Sequence, residues 1–299
     1  MENFADRLIR EIEKKQNPSI IGLDSEFSEL PLSLRKGRKR NDEKASAMLE
    51  FNRHIIDSIE NTVPAVKIQS AFYEKQGPPG MEAFLRTVEY AKSKGLIVVA
   101  DVKRSDIGNT SAAYSSAFLG DSGFGLDCIT VNPYLGSDGV LPFVKDVREG
   151  GKGIFVLVKT SNPSSSEIQD LETGGKKIYE VVAGLVEKWG SGSEGKKGYR
   201  SVGAVVGATY PREAKSLRKL MPKSIFLVPG YGAQGGGADD AIHCFNSDGL
   251  GAIVNSSRGV IFSYKKKGTE DYASAASEAA ENMKKELTAS MKRAGICPW

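Results

Sequence analysis

The chain has 299 residues, 40% apolar and 26% charged, with 41 basic against 37 acidic side chains and a formal charge of +4. That length can bury a large core, and with no low-complexity linker the whole of 1–299 reads as one domain with an N-terminal helix and loop insertions. No apolar run approaches the ~18 residues that span a bilayer, and the mild net charge does not mark a polyanion binder, so neither a membrane nor a nucleic acid is an expected partner.

Residues 1–15 form a charged amphipathic helix without the apolar centre of a secretory leader, and a cytoplasmic location is expected. A first strand, 19–23, ends at Asp24. The dense basic run at 34–40 lacks interleaved aromatics or a recognition motif and reads as a solvated loop, as does Lys265-Lys266-Lys267. A helical pattern at 42–59 leads to the strand 65–68, with Lys67 near its end, then to a rigid turn at 76–80 and a helix at 81–94. The third strand, 96–100, is a β-branched run ending in Asp101 and Lys103, two residues apart and therefore on one side. Asp106 lies past its end, placed either to cap a helix beginning near Ile107 or to reach into a neighbouring site.

The strand 128–131 carries Thr130 and is followed by Asn132. The strand 154–158 is followed by 159–162, and 161–169 is a candidate lid. A helix at 176–189, a flexible surface loop at 190–198, a strand at 202–206 and a helix at 211–220 come next. The strand 225–228 runs into the glycine-rich stretch 229–237, the strand 252–254 into Asn255-Ser256-Ser257-Arg258-Gly259, and a helix at 272–293 completes the pattern. Three scattered cysteines (Cys128, Cys244, Cys297) argue against a disulfide framework or a CxxC zinc site. Two histidines, His54 and His243, argue against a His-based triad or multi-His metal centre, and each reads as structural.

Eight short apolar strands alternating with helices specify an α/β fold, and at this length a closed (β/α)8 TIM barrel. In a barrel every strand end surrounds one opening, so Asp24, Lys67, Asp101, Lys103, Thr130, Asn132, the stretch from Lys159 to Asn162 and that from Asn255 to Arg258 converge on a single rim. The glycine-rich loop after the seventh strand, joined to Arg258 after the eighth, reads as a phosphate grip, because free backbone N–H groups and a guanidinium both suit an anion.

With these placements the chain resembles the orotidine 5'-phosphate decarboxylase family over nearly its whole length. The likeness rests on Gly22-Leu23-Asp24, Val66-Lys67, Asp101-Val102-Lys103-Arg104-Ser105-Asp106-Ile107, the Pro229-Gly230 loop with Gln234, and Arg258-Gly259-Val260-Ile261. Phe72-Tyr73-Glu74, Val131 to Gly136 and Lys159-Thr160-Ser161-Asn162-Pro163 further resemble its longer type 2 subgroup. Ser257 departs from the glycine of many shorter members. The resemblance implies decarboxylation of orotidine 5'-monophosphate to UMP without metal or cofactor. It implies Lys103 as proton donor to C6 beside Asp101, and Lys67 and Asp24 on the ribose. Asp106, Ile107 and Thr110 would serve the partner's site in a homodimer. Ser161 would sit on the pyrimidine edge, and Gln234 and Arg258 on the phosphate, with Pro229 and Ser257 lining the same grip. The chemistry is coherent. Loss of CO2 from C6 leaves an anion in the ring plane that no π-system delocalises, so a fixed ammonium there stabilises the charge and then protonates it.

Two other readings compete. Metal-dependent sugar-phosphate decarboxylases or hexulose-phosphate synthases on the same barrel share the third-strand pattern, but resemble a metal-binding glutamate where this chain has Lys67. A non-catalytic nucleotide-binding barrel has no use for clustered Lys67, Asp101, Lys103 and Asp106.

Overall fold

A computed structural model describes every residue except 233 and 234, so the expected phosphate contact Gln234 lies outside the described residues. Eight parallel strands close a barrel: β1 Ser19–Leu23, β2 Ala65–Gln69, β3 Ile97–Arg104, β4 Cys128–Val131, β5 Gly153–Lys159, β6 Arg200–Val206, β7 Ser224–Val228 and β8 Ala252–Ser256. Each pairs with its neighbours in chain order, and β8 closes on β1 through Ile20 opposite Asn255. The strands form because their β-branched and aliphatic runs are covered on both faces. Ile21, Val66, Val98, Ile129 and Val156 pack outward under the helices, while Ile20, Ala65, Val99, Cys128, Phe155 and Ile225 fill the interior. The expected helices at 211–220 and 272–293 occur as Pro211–Leu220 and Tyr272–Arg293, and those at 42–59 and 81–94 as Asn41–Ile59 and Pro78–Ser93. The turn at 76–80 is tighter than expected: Gly77 takes a φ of +67° and Pro78 already opens the helix.

The N-terminal helix, Phe4–Lys15, stoppers the lower mouth of the barrel. Its Phe4, Leu8, Ile9 and Ile12 bury among the interior side chains, Phe4 edge-on to Phe155 at 6.1 Å. Gly153 makes room, since a Cβ there would lie 2.3 Å from the Phe4 ring. The loop 190–198, expected to be free, is tied to this plug. Asp6 accepts the backbone N–H groups of Lys196 and Lys197 at 2.8 and 3.0 Å, and Asn3 donates to Ser193 O at 3.1 Å. Successive N–H groups turned toward one carboxylate hold a loop that composition alone reads as mobile. With the bottom sealed, polar groups on the inward face collect at the upper mouth.

Candidate active site

Four charged side chains alternate in sign across the ends of β1, β2 and β3. Lys67 Nζ lies 3.3 Å from both Asp24 Oδ1 and Asp101 Oδ2, and Lys103 Nζ lies 2.6 Å from Asp101 Oδ1. Register explains the grouping: Gly22 sits opposite Lys67 and Gln69 opposite Asp101, so the inward positions of three adjacent strands meet. Asp101 is the hub. It also accepts from Gln69 Nε2 at 3.1 Å and Thr130 Oγ1 at 2.9 Å, so four donors converge on one carboxylate.

The electrostatics follow from this packing. Burial alone would raise the pKa of Asp101, but the ammonium groups of Lys67 and Lys103 and the hydrogen bonds from Lys103 and Thr130 hold it well below the usual carboxylate range. Burial likewise pulls the Lys67 ammonium down, and Asp24 and Asp101 reverse this and carry it above the ordinary lysine value. Both residues are therefore ionised at neutral pH although nearly enclosed, with side chains 6% (Lys67) and 13% (Asp101) exposed. Lys103 is more open, at 47%.

Backbone geometry aims Lys103. The pairing of β3 with β4 shifts register between Ala100 and Arg104, and Lys103 takes a left-handed φ of +44°. For a residue with a Cβ that conformation costs on the order of 1–3 kcal/mol and persists where its surroundings enforce it. Thr130 does so here, its Oγ1 accepting from the N–H groups of Val102 and Lys103 at 3.1 and 2.9 Å.

Across the mouth the loops after β5, β7 and β8 complete a cavity of about 480 Å³. Ser161, Pro229, Ser257 and Arg258 line it together with Asp24, Lys67, Asp101 and Lys103, so eight of the expected site residues share one space. Leu157, Val205 and Leu227 form its apolar floor. Gly22 is required at this rim, because a Cβ there would fall 1.9 Å from Ser257 Oγ. Among the described residues no carboxylate pairs with Arg258.

Asp106, Ile107 and Thr110 do not line the cavity. The capping role open to Asp106 is not realised. The helix Gly108–Leu119 starts from Ile107 without a side-chain cap, and among the described residues Asp106 Oδ1 accepts only its neighbour's N–H, Ile107 N, at 2.8 Å. Ile107 is 55% exposed and Thr110 is exposed beside it. Among the described residues, no group of three or more His, Cys, Asp or Glu is placed to hold a metal ion. Sequence reasoning placed Asn255 on the rim, where it lines the cavity, but missed Gln69 as a cavity residue and the bracing role of Thr130. Gln69 was within reach, because it stands two residues from Lys67 as Lys103 does from Asp101.

A family model described as the orotidine 5'-phosphate decarboxylase / HUMPS family matches residues 42–270. The chain belongs to this family. Orotidine 5'-phosphate decarboxylase of Caldicellulosiruptor bescii is 43% identical over 97% of this chain and 100% of that protein. The relative of the same name from Rhodopirellula baltica is 46% identical over 93% and 94% of the two. Among solved structures, OMP decarboxylase of Leishmania donovani superposes with a TM-score of 0.75 at 30% identity, covering 96% of this chain and 98% of that one. The barrel is thus the fold of the family, and the charged array sits on the strands that carry its motifs.

Proposed function

We infer that the chain decarboxylates orotidine 5'-monophosphate to UMP and CO2 in pyrimidine biosynthesis. The observation that carries the inference is the alternating row Asp24, Lys67, Asp101 and Lys103 sharing one cavity with Arg258, in a chain whose full-length relatives are decarboxylases of that name. In the reaction we propose, Arg258, Pro229 and Ser257 hold the phosphate, with Gln234 as the further contact the family resemblance implies, and Asp24 and Lys67 hold the ribose. Ser161 meets the pyrimidine edge. As the bond from C6 to the carboxylate breaks, the electron pair left on C6 faces the Lys103 ammonium, which stabilises it and transfers a proton from Nζ to C6. Asp101 keeps Lys103 in place, and Thr130 fixes the backbone from which it projects.

Lys67 also separates this reading from the metal-dependent one. Its ammonium lies between Asp24 and Asp101, in the space a divalent cation held by those carboxylates would need. The test is turnover of orotidylate, followed by ultraviolet absorbance, in protein treated with EDTA. Full activity is expected, and activity lost to EDTA and regained with Mg2+ would favour the metal-dependent branch.

The finer assignments are part of the same proposal. The whole of 1–299 forms one domain, supported by the C-terminal helix packing on the helix Asn41–Ile59. The type 2 subgroup is supported by the motifs around Tyr73, Asn132 and Ser161. Three unpaired cysteines suit the reducing cytoplasm. A homodimer with shared sites is supported by exposed Ile107, Tyr134, Leu135 and Leu141 beside Asp106, whose carbonyl and Leu135 Cβ both flank Gly139. Such a face suits a second copy, to whose cavity Asp106, Ile107 and Thr110 would contribute.

A further inference from the structure

Lys159, the last residue of β5, takes no part in the charged row on β1 to β3, and its side chain is completely buried. Its Nζ lies 2.8 Å from Asp170 Oδ1, donates to Ser165 Oγ at 3.2 Å and stands 4.4 Å from the centre of the Tyr210 ring. An ammonium is retained inside a protein when a carboxylate, further hydrogen bonds or an aromatic face replace its water, and Lys159 has all three. Asp170 and Ser165 both belong to the loop that begins immediately after Lys159, so this buried pair closes the loop upon itself.

Other bonds fix the same segment. Thr160 and Gln169 bind each other twice, Thr160 N donating to Gln169 Oε1 at 3.0 Å and Gln169 Nε2 to Thr160 Oγ1 at 2.8 Å. From beyond β6, Tyr210 OH donates to Asn162 O at 3.2 Å and Thr209 Oγ1 to Ser161 O at 3.3 Å. Gly207 permits the approach, since a Cβ there would lie 2.9 Å from Ser161 Cα. The outcome is that Thr160, Ser161, Asn162 and Gln169 stand along one wall of the cavity.

We propose that Lys159 is a positioning residue for recognition of the base: paired with Asp170, it holds 160–170 so that Ser161 faces the pyrimidine before the ligand arrives. The proposal rests on the reading of Ser161 as the group on the pyrimidine edge. A loop already ordered loses little conformational freedom on binding, whereas a released loop must be ordered by the ligand itself. Because Lys67 stands on β2, Asp24 just after β1 and Arg258 just after β8, the ribose and phosphate contacts do not depend on this clamp.

The two parts of the ligand therefore separate the clamp from a general packing role. In full-length Lys159→Met and Asp170→Asn proteins, calorimetric affinity for UMP is expected to fall by about tenfold or more and that for ribose 5-phosphate by less than about twofold. KM for orotidylate should rise in parallel. Asp170 is partly exposed, so Asp170→Asn keeps the test available if Lys159→Met fails to fold. Equal losses for UMP and ribose 5-phosphate, or no loss for either, in Asp170→Asn overturns the proposal. A wild-type protein that does not turn over orotidylate overturns the reading of the site, and this proposal with it.

Discussion

Replacing Asp101 with asparagine tests the hub of the charged row. The wild-type row is neutral, two carboxylates against two ammonium groups, and the substitution leaves it with one positive charge in excess. Lys67 is 6% exposed and loses one of its two partners at 3.3 Å. At an effective dielectric constant near 20, one such contact corresponds to roughly 5 kcal/mol of attraction before desolvation is subtracted. Lys103 is about half exposed and can turn toward water, so its lost contact counts for little. Removing one partner of a buried pair typically costs 3–5 kcal/mol, and the surviving Asp24 contact places this variant at the lower end, about 3 kcal/mol. For a chain of 299 residues that corresponds to a fall in Tm of roughly 5 °C. Because the folded-state pKa of Asp101 is lowered, its contribution is present above the unfolded value near ~4 and is lost as pH falls through the folded one. Denaturant unfolding of both proteins should therefore give a constant difference at neutral pH that narrows below about pH 4. Orotidylate turnover should fall by about 100-fold or more as Lys103 loses its anchor. Stability within about 0.5 kcal/mol of wild type at pH 7 would refute the assignment of Asp101 as the group that neutralises Lys67.

Lys103→Ala should lower kcat by a factor on the order of 10³ or more while UMP still binds, since the ammonium acts where charge develops; turnover near wild type would remove the proton-donor role. Asp106→Ala and Lys103→Ala subunits, each nearly inactive alone, should on mixing regain up to about a quarter of wild-type activity, because half the dimers are mixed and each has one intact site. If mass spectrometry shows subunit exchange and activity stays flat, Asp106 acts within its own chain. Lys67 carries a raised pKa, so its stabilisation is full below the unfolded value near ~10.4 and lost as pH rises through the folded one. Alkaline unfolding of Lys67→Met should lack the loss of stability that wild type shows above that pH.

What could be read from the sequence was what short range dictates. The eight strands are continuous apolar runs bounded by turn residues, and each was found to within a few residues. Two helices are less legible: one is expected only as a start near Ile107, with no end, and the other is not expected at all. Gly108–Leu119 is built from Asn, Thr, Ser and Ala with little apolar periodicity, and is held by tertiary bonds such as Ser111 Oγ to Gly139 O at 3.0 Å. Ser137–Gly150 carries Pro142 in its interior, a residue that argues against a helix when read alone. In the site, Asp101 and Lys103 were visible because strand spacing places them together. The bracing by Thr130 depends on a register shift, the Lys159 clamp on a contact eleven positions away, and the plugging of the barrel by residues 4–15 on a topology that no local pattern encodes.

The plug and the site belong to one physical argument. Phe4, Leu8, Ile9 and Ile12 close the lower mouth, and Leu157, Val205 and Leu227 floor the cavity, so the charged row lies over apolar side chains and not over a water-filled channel. Its charges act at short range with little screening, which strengthens both attraction and repulsion within it. In the proposed reaction the substrate carboxylate enters beside Asp101, where like charge opposes it, while Arg258 draws in the remote phosphate. The favourable contact is thus made far from the bond that breaks, and the unfavourable one close to it. Departure of CO2 removes the repelled carboxylate and leaves the new electron pair before Lys103, so repulsion by Asp101 is relieved as attraction to Lys103 grows. An array of fixed charges that opposes the bound reactant and favours the carbanion lowers the barrier without moving.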